Sequence, residues 1–408
     1  MLAPSQLAKK KSATHPLKRS GFRDLIRIRP AVTVDLLKRL IRIPSVNPAI
    51  DRGQGEEEIA AFIARWFRKT RRFNVIEQRV TKNRFNVIAR LDGKCDGGRL
   101  MLNGHMDTVG TSGMTAKPFT PFVERGRMHG RGSCDMKGPI ASMMSAMLSL
   151  ANSKKLTGDV IFGAVVDEEY VSLGTSELIK RFRTDAAIVG EPTGMNIAIA
   201  HKGYAWLEVE TIGREAHGSI PERGVDAIEK MAKLVSQLDL VRGKHRLKRH
   251  PLVGMPKIHT STITGGSDWS TVPAKCVLQL ERRLIPGEKP KDAVKELRNM
   301  VADCSRHDRT LRARVRLIHH ADSMEVKKAP HIEILRQQLR RFGRRGKIMG
   351  VPYWTDAAIL VNQARIPSCL FGPGNINVAH SPDEYVRVED VLLAARIYAE
   401  TAKAYCGP

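Results

Sequence analysis

Apolar residues in the first half of this chain come in short unbroken runs that stop at acids or histidines. Arg99-Leu-Met-Leu-Asn-Gly-His105-Met-Asp107 ends in His-x-Asp, and Asp159-Val-Ile-Phe-Gly-Ala-Val-Val-Asp167-Glu168-Glu169 ends in three acids. Asp185-Ala-Ala-Ile-Val-Gly-Glu191-Pro192 ends in Glu. Runs of this length, bounded by Gly and polar residues, predict buried parallel strands. Around them, helical spacing recurs in Val34–Ile41, in Glu56–Lys69 (Ile59, Phe62, Ile63, Trp66, Phe67) and in the apolar stretch from Pro139 to Leu150. Further strands are expected near Phe73–Val80 and Phe85–Leu91. Alternation of strand and helix predicts an α/β domain built on a mostly parallel sheet with helices on both faces.

After Glu191-Pro-Thr-Gly the pattern changes. Ala205-Trp-Leu-Glu-Val-Glu-Thr211 alternates like a strand with one wet face. A helix at Val225–Leu238, strands at Lys257–Thr264 and Lys275–Leu284, a helix at Lys291–Cys304 and a strand at Arg312–Ile318 follow. This βαββαβ order matches the ferredoxin-like split βαβ unit. The expected organisation is a basic extension over residues 1–31, a catalytic domain over 32–197 and 325–408, and an inserted α+β module over 198–324. The return segment carries a helix at His331–Phe342, a strand at Pro367–Phe371 and a final helix at Val388–Ala404.

Composition bounds the function. A length of 408 residues exceeds a single core, and no stretch approaches the ~20 apolar residues that span a membrane. Six cysteines at 95, 134, 276, 304, 369 and 406 form no Cys-x-x-Cys pair, which points to reduced thiols and a cytoplasmic location. The net charge of +26 would attract anionic partners. Aromatic content of 5% and the lack of any base-reading motif argue against specific nucleic-acid binding. The first 30 residues hold eight Lys/Arg against Asp24 and read as a disordered tail or a mis-assigned start rather than a transit peptide.

The strand ends carry the chemistry. Ligands of open α/β sheets bind beyond the carboxyl ends of the strands, so His105 and the acids after the second and third runs converge. Gly130-Arg-Gly-Ser-Cys-Asp135-Met-Lys-Gly138 adds a glycine-punctuated loop around one Asp. Like charges held that close call for divalent metal. Cys134, beside that Asp, reads as a small buried residue rather than a nucleophile.

Together these segments resemble the dinuclear-zinc amidohydrolase family of acetylornithine deacetylase, succinyl-diaminopimelate desuccinylase, aminoacylase and glutamate carboxypeptidase. The resemblance rests on Gly104-His-Met-Asp-Thr-Val109, on Gly130–Gly138, on Asp167-Glu-Glu169, on Gly190-Glu-Pro-Thr193 and on Ala379-His-Ser-Pro-Asp-Glu384. It implies two Zn(2+) per subunit, with Co(2+) or Mn(2+) as substitutes: His105 and Glu191 on one ion, Glu169 and His380 on the other, Asp135 bridging. It implies Glu168 as general base toward a metal-activated water. Asp107 would accept the other imidazole N–H of His105, or cap a turn.

The resemblance also implies roles further along. His217 in Gly213-Arg-Glu-Ala-His217-Gly-Ser would reach the partner subunit's site and polarise the scissile carbonyl. Arg283 would clamp the substrate carboxylate, with Arg282 facing the opposite side of the strand. Ser270 stands where the family has Asn. Thr355 lies in a substrate-side loop, and Gly372 and Gly374 would lend backbone N–H groups to substrate or serve as turn glycines. The implied activity is hydrolysis of the amide bond of N-acyl-L-amino acids. Alternatives are a dipeptidase or carboxypeptidase of the same family, a non-catalytic binding protein, and a basic nucleic-acid-associated protein. A homodimer through the inserted module is expected, because its sheet leaves an edge strand to cover.

Overall fold

The computed structural model describes residues 25–94, 97–152 and 156–407. A nine-stranded sheet has the order 74–81, 84–91, 160–165, 100–105, 186–189, 368–370, 197–201 and 324–325, with 348–351 also pairing with 197–201. Its four middle strands, Val160–Val165, Leu100–His105, Ala186–Val189 and Ser368–Leu370, run parallel. Antiparallel strands flank them. The middle strands are buried throughout, as a sheet covered on both faces requires.

The covering helices follow from side-chain alternation. Phe162 tilts against Phe67 of the helix Glu57–Lys69, with ring centroids 5.4 Å apart. A Cβ on Gly104 would meet Met136 and Ile140, at the start of the helix Lys137–Ala151, at 2.6 and 3.3 Å. Phe162 and Gly104 belong to one face of the ladder, so both helices lie on that side. Gly163 faces the other way, toward Leu178 of the helix Leu173–Arg181.

The expected βαββαβ module is present. Strands Lys257–Gly265, Lys275–Leu284, Gly203–Ile212 and Arg312–Ala321 form a four-stranded sheet in that order, every neighbouring pair antiparallel. The helices Ala227–Arg246 and Pro290–His307 cover one face. Leu207, Val209, Leu278, Leu280, Leu234 and Leu297 belong to a core separate from the main one. The first helix runs on to Arg246, past the expected end at Leu238. Val241 and His245 keep its buried stripe going, and Lys244, His245 and Arg246 suit a helix C-terminus.

Two expected boundaries shift. The strand Ile197–His201 stays in the large sheet, so the chain leaves it at Lys202 rather than at residue 198. Residues 1–24 of the basic extension lie outside the described residues, but its end is packed. Ile26 and Ile28 alternate onto one side and are buried in the main core. The Ile26 N–H donates to Glu400 Oε1 at 2.5 Å, and the first helix starts at Pro30.

Candidate metal centre

Parallel register brings the strand ends to one edge. His105 pairs with Val165, Asn103 with Val189, and Leu370 with Val189. His105, the Asp167-Glu168-Glu169 turn, Glu191 and the Gly372–Gly374 turn therefore leave the sheet side by side. Asp135 arrives from the loop before the helix Lys137–Ala151, and His380 from the turn before Tyr385–Arg387.

Two sets of ligand atoms result. One atom each from His105, Asp135 and Glu191 lie within 4.8 Å of one another, as do atoms from Asp135, Glu169 and His380. Asp135 belongs to both. His105 Nε2 is 3.1 Å from Asp135 Oδ1 and 3.8 Å from Glu168 Oε2. His380 Nε2 is 3.2 Å from Glu169 Oε1 and 3.4 Å from Asp135 Oδ2.

The donor set fits a pair of divalent ions. Asp135, Glu168, Glu169 and Glu191 are carboxylates that one small volume cannot hold charged without cations. Burial, with the neighbouring carboxylates, pushes Glu168 and Glu191 well above the usual range and raises Glu169. Asp135 is also buried, yet the imidazoles of His105 and His380 outweigh that and hold it below the usual carboxylate range. Burial disfavours a charged His380, but its hydrogen bonds to Asp135 and Glu169 lift it to about 11. Among the described residues Glu191 Oε1 is buried with no hydrogen-bond partner, which suits an oxygen that ligates a metal.

A network beneath the ligands sets their geometry. Asp107 Oδ1 accepts the Glu168 N–H at 3.1 Å, and Oδ2 accepts the Glu169 N–H at 3.0 Å and Asn47 Nδ2 at 2.7 Å. Asp107 was expected to orient His105. The nearer acceptor for His105 Nδ1 is the Asp107 carbonyl oxygen at 2.9 Å, with the carboxylate at 3.5 Å. The carboxylate mainly fixes the backbone of the acid pair. Arg84 donates to Glu56 at 2.5 and 2.9 Å and lies 2.8 Å from Asp167 Oδ1. Asp167 is held at φ +72° by these partners and by Asn47 Nδ2 at 3.1 Å. Glu384 does the same for the Asp135 loop: its carboxylate accepts the N–H groups of Gly132, Cys134 and Asp135 at 2.9, 2.9 and 3.0 Å, and Arg131 Nη1 at 2.7 Å.

Sequence reasoning missed Asn47, Glu56, Arg84 and Glu384 as supports. Asp167 and Glu384 stand inside the quoted motifs, and Asn47 inside Ile43-Pro-Ser-Val-Asn-Pro48. Nothing in those segments told a buried polar residue from a solvated one. Cys134 is buried as expected; burial pushes its thiol well up, and Sγ lies 3.4 Å from the Asn375 carbonyl.

The remaining expected residues fall into two groups. Thr355 is fully buried, and its hydroxyl accepts the Ala357 N–H at 3.3 Å, closing a helix start rather than facing a ligand. The Gly372 N–H is taken by Thr193 Oγ1 at 3.1 Å. Gly374 sits at φ +92°, where a Cβ would meet Cys134 Sγ at 2.6 Å, so a close approach requires glycine there. In the inserted module, His217 and Ser270 come together. His217 pairs with Thr271, and the Gly218 N–H donates to the Ser270 carbonyl at 2.6 Å. Both residues are exposed, and the His217 ring is 2.8 Å from Ser219 Oγ. Arg282 is buried against Glu296 and Glu288, at 3.1 and 2.9 Å, which rules it out as a substrate clamp. Arg283 faces the other way, 2.6 Å from Glu281 and over the Tyr204 ring at 5.7 Å. Glu168 and Arg283 both act on the Tyr204 phenol, which links the module to the metal centre.

A model described as peptidase family M20/M25/M40 matches residues 101–404. The chain is 29% identical over 385 residues to acetylornithine deacetylase of Proteus mirabilis, covering 91% of this chain and 96% of that one. The Salmonella typhimurium acetylornithine deacetylase is 29% identical over the same length. A tripeptidase structure from Staphylococcus aureus superposes with a TM-score of 0.77 at 19% identity, covering 93% of this chain and 99% of that one. A dinuclear metal-binding peptidase from Bacillus subtilis gives 0.71 at 16% identity, covering 92% and 98%. At these identities the two structures establish the shared fold.

Proposed function

The chain belongs to peptidase family M20/M25/M40, and from that premise we propose that it is a metal-dependent hydrolase of N-acyl-L-amino acids. The observation that carries this reading is the largely enclosed Glu168 carboxylate beside two ligand sets that share Asp135. In this reading His105 and Glu191 would hold one ion, Glu169 and His380 the other, and Asp135 would serve both. Zinc suits a His and carboxylate donor set, with cobalt or manganese as substitutes. Such ions, when bound, acidify a water and polarise the amide carbonyl.

Glu168 takes a proton from the attacking water as the new C–O bond forms and the carbonyl electrons move onto oxygen. It holds that proton until the C–N bond breaks and then delivers it to the leaving nitrogen. A carboxylate and a free amino acid leave. Asp107 keeps Glu168 and Glu169 in register through their backbone N–H groups. Arg283 clamps the substrate carboxylate, its guanidinium half-exposed on the module face that carries Tyr204. His217 and Ser270, exposed and adjacent, reach the site of a second copy. Thr355 and Gly372 drop out as substrate contacts, because one is buried and the N–H of the other is engaged.

The identity to acetylornithine deacetylases supports an acyl amino acid over a peptide as substrate. A zinc-replete panel of N-acyl amino acids beside di- and tripeptides tests this. Turnover of acyl amino acids that is lost on chelation and in Glu168→Gln is the expected result. Faster turnover of peptides would give the peptidase reading instead, and an active Glu168→Gln would overturn the mechanism.

We infer a homodimer through the exposed edge strand Lys257–Gly265. Mixing His217→Ala with Glu168→Gln protein should then restore activity, because one site of the mixed dimer holds both groups intact. A fully active monomer by light scattering would refute the arrangement. A cytoplasmic location agrees with the five free cysteines among the described residues.

A further inference from the structure

Among the described residues several buried polar side-chain atoms lack a hydrogen-bond partner, and one of them is a phenol beside the metal centre. The hydroxyl of Tyr353 is buried and has no hydrogen-bond partner among the described residues. Buried side-chain hydroxyls are almost always paired, because leaving one unmade forfeits its bonds to water. Tyr353 lies in the turn between the strand Ile348–Val351 and the helix Ala357–Asn362.

Its surroundings make the orphan informative. After burial, the groups that act most strongly on the phenol are Glu191, Asp135, Cys134 and Glu168. These are a ligand, the shared ligand, its neighbour and the base, so the hydroxyl lies near the metal centre. A phenol ordinarily titrates at about 10, so it is a neutral donor at working pH.

The side chain is also held in place. Its ring packs against the main core. The next residue, Trp354, donates its indole N–H to the Asp322 carbonyl at 3.1 Å, and Thr355 is buried behind it. A phenylalanine would fill the same space and satisfy every packing contact. The oxygen is therefore superfluous to the fold and available to whatever enters the site.

We propose that Tyr353 is a further catalytic residue, whose phenol O–H donates a hydrogen bond to the scissile carbonyl oxygen as negative charge develops on it. The inference rests on the amide-hydrolase reading above. The phenol keeps its proton throughout; the bond it makes strengthens as the carbonyl oxygen becomes an oxyanion. A fixed donor aimed at developing charge in a water-poor site stabilises the transition state more than the ground state. Tyr353 comes from the same chain as the metal ligands, so its contribution does not depend on His217 of a second copy.

The test is zinc-loaded Tyr353→Phe against wild type on the best substrate of the acyl panel, with zinc content and thermal unfolding measured on both. The expected result is a kcat lower by about 100- to 1,000-fold, with KM within about threefold, unchanged zinc content and an unfolding temperature no lower than wild type. A phosphinic acid that mimics the tetrahedral state should bind the variant weaker by a similar factor, while the product amino acid binds as before. A kcat within twofold of wild type overturns the inference. So does a rise in KM alone, which would make Tyr353 a ground-state contact, or a fall in unfolding temperature, which would make it structural. A wild type that hydrolyses nothing overturns the amide-hydrolase reading itself; an active wild type with an unaltered variant overturns only the role of Tyr353.

Discussion

Asp107→Asn removes one charge and changes almost no volume, yet it should disable the acid pair. Both carboxylate oxygens face donors: Glu168 N–H and, at longer range, His105 Nδ1 on one side, Asn47 Nδ2 and Glu169 N–H on the other. Asparagine turns one oxygen into a donor. Placed on the Oδ2 side, its amide would confront two strong donors at 2.7 and 3.0 Å. The amide therefore settles on the Oδ1 side and gives up the Glu168 N–H at 3.1 Å. A hydrogen bond to a buried charged group contributes about 1.5–3 kcal/mol. At ~1.4 kcal/mol per tenfold, the loss is about 10- to 100-fold, the range found for residues that orient metal ligands. The shifted backbone carries both Glu168 and Glu169, so kcat and zinc affinity should fall together. Steady-state kinetics against a zinc titration reads both. If kcat/KM and zinc affinity both stayed within twofold of wild type, the assignment of Asp107 as the anchor of the acid pair would be wrong.

Other outcomes follow from the same structure. Arg84→Met leaves Glu56 and Asp167 buried without their shared cation, so it should destabilise the protein by about 3–5 kcal/mol, read as a lower unfolding temperature and weaker zinc retention. Burial lowers His331 from 6.5 to about 4, and both its ring nitrogens lack partners among the described residues. Its neutral form is favoured in the fold, so that stability is complete above pH 6.5 and is lost as pH falls from there toward 4, by about 3 kcal/mol. His331→Phe should therefore raise the unfolding temperature, by more at pH 5 than at pH 7; an equal gain at both would refute the linkage. Chelation should lower the unfolding temperature, because it exposes the repulsion among Asp135, Glu168, Glu169 and Glu191, and added zinc should restore it.

Much of the fold was legible along the chain. Alternating and continuous apolar runs marked the strands, helical spacing marked the helices, and the change of pattern after Glu191 marked the inserted βαββαβ unit. Element ends were less legible. The helix from Ala227 outran its expected end because two buried residues, Val241 and His245, kept its stripe going. The switch between sheets moved to Lys202 because Ile197–His201 is as apolar as the strands beside it.

The ligand residues were legible for a physical reason. Parallel strands deliver their carboxyl ends to one edge, so a strand-end acid or histidine is placed by local pattern and one topological rule. The supports obey no such rule. Arg84 meets Glu56 and Asp167 from 28 and 83 positions away along the chain, and Glu384 crosses about 250 positions to reach the Asp135 loop. Arg282 and Arg283 look alike in one dimension, yet one is buried in a carboxylate pair while the other faces Tyr204. The unpaired hydroxyl of Tyr353 exists only as a relation between a turn and three strand ends. Local sequence sets which face a side chain takes and where an element stops; whether a polar atom ends up paired, buried or left free depends on chain segments far away, and only the packed tertiary structure brings those together.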